Sequence, residues 1–248
     1  QAVAAGTGVA AVSFTASATP DAPASITGGS AYGEVVTGQA VPTAPSVTVQ
    51  DQYGNVVPGV QVNFTGDGTP SAGSQNTNAS GVASVAWTVD AADGTLQVDG
   101  THPNTLTATV NGTALSTAFT ADVIYSWSTH VVPLFAAEGC TAAGCHDVAE
   151  TSGLRLDGGA AAAYGELVSV TPVCDAFTPS PNPVFRVSPI GGVSAADVNS
   201  LLMLFIDGAL DGIPAGDANA CNLDFMNFDD AGNVAIVRAW IRNGAPNN

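Results

Sequence analysis

The chain has 248 residues, of which 46% are hydrophobic and only 10% charged, and its formal net charge is −17. It has no lysine, and its four basic residues, Arg155, Arg186, Arg238 and Arg242, all lie in the second half. Such a surface repels phosphate backbones and anionic headgroups, which are bound through clustered lysine and arginine, so nucleic acid is excluded as a partner.

The length suits two domains of ordinary size, and the sequence changes character near residue 123, so a division into 1–123 and 124–248 is expected. Small and β-branched residues dominate, as in exported β-rich modules. No apolar run approaches the roughly 20 residues that span a bilayer, so no membrane-spanning segment is expected, and any leader before Gln1 is expected to have been removed. Four cysteines in an exported chain are expected to be oxidised or covalently engaged.

In the first half, Val9–Ala18, Ser46–Gln50, Val60–Thr65, Val82–Val89, Leu106–Val110 and Ser116–Val123 alternate apolar and polar side chains and read as strands. Their spacing predicts an antiparallel β-sandwich. Gly54 and Asn55 in Asp51-Gln-Tyr-Gly-Asn55 suit a tight turn, and Pro58-Gly59 opens the next strand. His102, in Thr-His-Pro-Asn, reads as a solvated turn histidine. Asn63, Asn78 and Asn111 begin Asn-x-Thr/Ser triplets, a pattern frequent by chance in threonine-rich sequence.

Val47 to Phe64 and Gly81 to Trp87 together resemble bacterial immunoglobulin-like domains of the invasin and intimin type, over about residues 22–123. That resemblance implies an all-β immunoglobulin-like sandwich that acts as a spacer or adhesive module. The first twenty residues are similar to the closing strand of such a domain, and either pair into this sheet or are the remnant of a preceding repeat.

In the second half helical periodicity replaces alternation. Pro133 suits the first turn of a helix running to about Glu138, and Ala160–Val168 is a second helix. Ser194-Ala-Ala-Asp197 precedes an apolar face of Val198, Leu201, Leu202, Phe205 and Ile206. The closing helix has Asp229 and Asp230 at its start, a stripe of Val234, Val237, Trp240 and Ile241, Arg238 and Arg242 towards its end, and Gly244 as its stop. So little structure among long loops needs a staple.

The stretch Gly139-Cys-Thr-Ala-Ala-Gly-Cys-His146 offers two kinds. Covalent haem attachment normally uses C-x-x-C-H, and here four residues separate Cys140 from Cys145. The same cysteines can instead close a small disulfide loop, eased by Gly139 and Gly144, with His146 an ordinary polar residue.

Pro133-Leu-Phe135 before Cys140, Gly153-Leu-Arg-Leu156 after His146, and Ile236-Val-Arg-Ala-Trp-Ile241-Arg-Asn-Gly-Ala245 at the close resemble planctomycete-type cytochrome c-like domains. The resemblance spans most of 125–245 and implies a small all-α domain with haem c held through Cys140 and Cys145 and His146 as proximal iron ligand. In that family a methionine, commonly in Met-Pro, supplies the sixth ligand. Here Cys221 lies near the expected place and Met226 follows without a proline, so Met226 is the candidate, with His130 outside it and Met203 expected to be core. Cys174 and Cys221 are expected to form a disulfide whether or not haem is held, worth about 3 to 4 kcal/mol.

Zinc fits poorly, because Cys174 and Cys221 stand apart from the cluster at 140–146. The aspartates at 207, 211, 217, 224, 229 and 230 do not have EF-hand spacing and read as solvated turns. No elbow serine or phosphate loop is present, so an enzyme is not expected. Two functions are expected: an exported, periplasmic or extracellular electron carrier with protein partners, or a haem-less structural subunit that stabilises a larger electron-transfer assembly.

Overall fold

The computed structural model describes residues 19–97, 100–141, 155–168 and 231–248. Among the described residues, ten strands precede Tyr125: β1 Ser25–Gly28, β2 Ser30–Val36, β3 Ser46–Gln50, β4 Gln61–Gly66, β5 Thr69–Pro70, β6 Ser74–Asn76, β7 Val82–Ser84, β8 Trp87–Thr88, β9 His102–Val110 and β10 Ser116–Ile124. One sheet runs β1-β3-β7 and the facing sheet β2-β10-β9-β4-β6, with β5 and β8 as a short ribbon. Among the described residues, all pairings are antiparallel except that of β2 with β10.

Alternation in the sequence becomes the core between the sheets. Val47 and Val49 of β3, Val62 and Phe64 of β4, Leu106, Ala108 and Val110 of β9, and Phe119, Ala121 and Val123 of β10 are buried in one cluster, while the residues between them on each strand are more exposed. Trp87 is fully buried and donates its indole N–H to the Asp67 carbonyl at 2.8 Å, with Tyr32 edge-on at 6.2 Å. Two faced sheets, one built on β10-β9-β4, have the layout of an immunoglobulin-like sandwich.

The chain changes sheets between β1 and β2. Gly28 lies opposite Val47 in one layer, and Ser30 lies opposite Phe119 in the other. Gly28 and Gly29 have φ of 136° and 94°, which only glycine adopts readily. A Cβ on Gly28 would lie 2.5 Å from the Ser46 carbonyl oxygen, and one on Gly29 would lie 2.7 Å from Thr117 Oγ1.

Asp51 organises the turn after β3. Its Oδ1 accepts from the main-chain N–H groups of Tyr53 and Asn55, both at 2.9 Å, and its Oδ2 accepts from Asn55 Nδ2 at 2.9 Å and the Asp21 N–H at 3.1 Å. These bonds, the Asn55 side chain first, hold the Asp51 carboxyl down at about 2 although burial opposes them. A carboxyl depressed in the folded state stabilises above its unfolded pKa, and that contribution is lost as pH falls from about 4 towards 2. Asp51→Ala should therefore lower the melting temperature by several degrees at neutral pH, and the gap from wild type should close towards pH 2. Melts at stepped pH check this; a gap independent of pH would refute the carboxylate's role.

Three sequence expectations change here. The strand expected over 82–89 is split into β7 and β8, because the Val85 N–H turns to the Pro45 carbonyl and Ala86 accepts from Ser71. His102 is not in a solvated turn: it opens β9, and Pro103 sits where β9 is paired with β10 alone, so its missing N–H interrupts no second ladder. Strands β1 and β2 were not anticipated. The strand expected at Val9–Ala18 lies outside the described residues.

Beyond Ile124, one π-helical turn, Trp127–Val131, runs into α1 Val132–Ala137, with α2 Ala160–Leu167 and α3 Ala231–Arg242 following. Ser126 caps the π turn by accepting from the Thr129 N–H. The stripe anticipated on the last helix, Val234, Val237, Trp240 and Ile241, is buried. The helix expected after Ser194 lies outside the described residues, and of the expected all-α second half the described residues hold the π turn and these three helices.

Candidate functional site

The helices meet through aromatic rings. Trp127 stacks on Trp240 with centroids 4.8 Å apart, Phe135 lies 6.0 Å from Trp127, and Tyr164 meets Trp127 edge-on at 5.7 Å. Each polar handle is satisfied by the chain. Trp127 Nε1 donates to Ala160 O at 2.7 Å, Trp240 Nε1 to Pro246 O at 3.0 Å, and the Tyr164 hydroxyl to Ala245 O at 2.8 Å. Burial raises the Tyr164 pKa, so the phenol stays protonated as a donor.

The tail completes the cluster. Ala245, fully buried with φ of 50°, follows the Gly244 stop, and its N–H returns to Trp240 O at 2.9 Å. Asn248 then accepts from Ser126 Oγ at 2.8 Å and Ser128 Oγ at 2.9 Å through its carbonyl, and from the Trp127 N–H at 3.0 Å through its side chain. Residues 245–248 thus pin the last helix to the linker after β10.

Cys140 belongs to this cluster. It follows Gly139, whose φ of 76° ends α1, and its N–H donates to Phe135 O at 2.7 Å. Its side chain is buried, and the Asn233 amide donates to Glu138 at 2.7 Å, fastening the end of α1 to the start of α3. Of the side chains expected to hold a haem, the described residues include Cys140: a sulfur at a helix end, set in an aromatic, apolar surround. Cys145, His146, Met203, Met226 and the Cys174–Cys221 pair lie outside the described residues. Among the described residues, no group of three or more His, Cys, Asp and Glu side chains is placed to hold a metal ion.

A second group of titratable side chains occupies the junction between sandwich and helices. His102 of β9 and His130 of the π turn both meet the Tyr125 ring edge-on, at 5.5 and 5.7 Å. His102 Nδ1–H donates to Gly94 O at 3.1 Å, whereas His130 Nδ1 accepts from the Ser126 N–H at 3.1 Å, which requires a free lone pair. Burial, and then the nearby Asp90 carboxylate, raises the Tyr125 pKa. Gly100 lies against the last turn of α3, where a Cβ would come within 2.3 Å of Ala239 O. His102 Nε2, Asn104 Nδ2 and Asn243 Nδ2, on the segments that meet here, are buried without a hydrogen-bond partner.

Burial lowers the His130 pKa below 6.5, so the docked state holds its neutral form. A basic group depressed in the folded state costs stability as pH falls through its unfolded pKa towards its folded one. The helical segments should therefore loosen as pH falls below 6.5, and His130→Gln should flatten that dependence. Near-ultraviolet circular dichroism of the tryptophans across this range checks it; identical profiles for both proteins would refute it.

Sequence reasoning singled out Cys140 and Trp240 but missed Trp127, Tyr164 and the tail. Trp127 stands among serines in Tyr-Ser-Trp-Ser-Thr, where no periodicity marks it. His130, considered as an iron ligand, instead has Nδ1 engaged with the chain on the side of Tyr125.

The chain matches no family model and no curated protein. Among solved structures it is similar to the D00-D0 domain of intimin (17% identity, TM-score 0.32, 44% of this chain and 50% of that one). The D0-D1 domain of intimin is similar at 20% identity and a TM-score of 0.30, over 41% of this chain and 47% of that one. A third similarity is to a C-terminal 282-residue fragment of intimin in complex with the intimin-binding domain of the translocated intimin receptor (20%, TM-score 0.30, 44% and 34%). This chain spans about half or less of each of those chains.

Proposed function

We propose that this chain is an exported electron carrier in which the sandwich is a spacer for a small haem-binding helical unit. The observation that carries this reading is Cys140, buried at the end of α1 within an aromatic cluster and followed in sequence by Cys145 and His146. Cys140 and Cys145 would hold haem c through thioethers, with His146 as proximal ligand and Met226 as the second. Bound haem supplies one-electron chemistry at a potential set by its ligands and burial. The chain's own part is to exclude water with Trp127, Phe135 and Trp240, and to present an acidic surface to a partner with a basic patch, with salt-dependent encounter.

A second reading is favoured by a separate observation: α1, α2, α3 and the tail already close on one another with both indoles and the Tyr164 hydroxyl satisfied. That suits a haem-less structural subunit, with Cys140 and Cys145 in a disulfide. Intact mass with a visible spectrum separates the two. The carrier should show the mass of one added haem and a Soret band, both lost in Cys145→Ala. A mass reduced only by the hydrogens of two disulfides, with no Soret band, would overturn the carrier in favour of the subunit.

A further inference from the structure

The sequence contains two Asn-Gly pairs, Asn111-Gly112 and Asn243-Gly244, and the fold treats them in opposite ways. The main-chain nitrogen of a glycine can attack the side-chain carbonyl of a preceding asparagine, provided that nitrogen is accessible and able to lose its proton. Gly244 is not: its N–H donates to Ile241 O at 3.0 Å in the cap of α3.

Gly112 lies at the tip of the β9–β10 hairpin with φ of 74°, and nothing comes within 4 Å of where a Cβ would stand. The hairpin is held on either side of it, by the Thr113 N–H on Val110 O at 3.1 Å and the Asn111 N–H on Gln61 O at 3.0 Å, while the Gly112 N–H takes no part. Asn63 Nδ2 donates to Asn111 Oδ1 at 3.3 Å. That bond draws electron density from the carbonyl under attack and supports the oxyanion that forms there.

We infer that Asn111-Gly112 is a site of spontaneous backbone chemistry, with Asn63 as its positioning residue. The Gly112 nitrogen gives its proton to water and bonds to Asn111 Cγ, the Cγ–Nδ2 bond breaks, and the side-chain nitrogen takes up one proton from water and leaves with its own two as ammonia, giving a succinimide. Water opens that ring at either carbonyl, leaving aspartate or isoaspartate at position 111. No oxidant or other co-reactant is needed. The product adds a negative charge to a half of the chain that has no basic residue, and isoaspartate adds a methylene to the main chain of the turn.

The test is to hold the folded chain in mildly alkaline buffer and follow both pairs by peptide mapping, with isoaspartyl methyltransferase labelling as the readout. Asn111 should convert at least about tenfold faster than Asn243, because reaction at Asn243 waits for the helix end to open. In urea the two should converge, and Asn63→Ala should slow conversion at Asn111 in the folded chain alone. Equal rates at both pairs in the folded chain, or an Asn111 that persists while a peptide of residues 110–113 reacts, would overturn the inference. An unchanged rate in Asn63→Ala would overturn the role of Asn63.

Discussion

Trp240→Ala should unfold the helical segments while the sandwich persists. The indole is fully buried, stacks on Trp127 at 4.8 Å and donates to Pro246 O, so truncation removes the centre of the second core and a tether of the tail together. Replacing a buried tryptophan by alanine costs about 3–5 kcal/mol, much of the stability of a small unit. The sandwich has its own core around Trp87 and, among the described residues, shares with the second core only the partly buried Tyr125. Thermal unfolding should therefore divide into two transitions, with the fluorescence of buried Trp87 surviving the first. Loss of both signals in one transition would mean that the junction fuses the two cores into one cooperative unit.

The second large effect is expected where the chain crosses between sheets. Gly28→Ala combines a backbone at φ of 136° with a methyl group 2.5 Å from the Ser46 carbonyl oxygen, both resisted by paired strands that cannot retreat. Backbone strain of this kind alone costs about 1–3 kcal/mol, and the contact adds to it. Gly33→Ala is the control: its φ is 67°, but nothing lies within 4 Å of the new methyl, so only the backbone term of about 1–2 kcal/mol applies. Denaturant midpoints should rank wild type above Gly33→Ala and Gly33→Ala well above Gly28→Ala. Equal losses in the two variants would show that close approach between the layers is not what demands glycine at 28.

Much of the sandwich was readable because one face of each central strand is buried. Ser46–Gln50 alternates strictly and Ser116–Val123 has Phe119, Ala121 and Val123 at every second position, and the structure buries those positions. Strands β1 and β2 escaped notice for the converse reason. Only Val35 is buried in β2, and Ser25-Ile-Thr-Gly-Gly-Ser30 has one large apolar side chain, so no alternation marks the passage between layers. The break within 82–89 was invisible because the bonds that divert Val85 and Ala86 come from Pro45 and Ser71, remote in sequence. In the helical half, periodicity exposed α3 and its stripe, whereas Trp127 and the Asn248 clasp depend on contacts across more than a hundred residues. Cys140 was legible as a chemical group from its motif, but its aromatic surround was not.

The parallel pairing of β2 with β10 also decides how the protein bears a pull. Strand β2 carries the chain in and β10 carries it out towards the helices, and side by side they match Ser30 with Phe119 through Val36 with Ile124. Tension drawn in at the start of β2 and out at the end of β10 slides the strands lengthwise, so the ladder's hydrogen bonds share the load instead of opening one at a time. A chain strung between an anchored end and a distant partner would hold its helical end at a fixed reach until that whole ladder gave way at once.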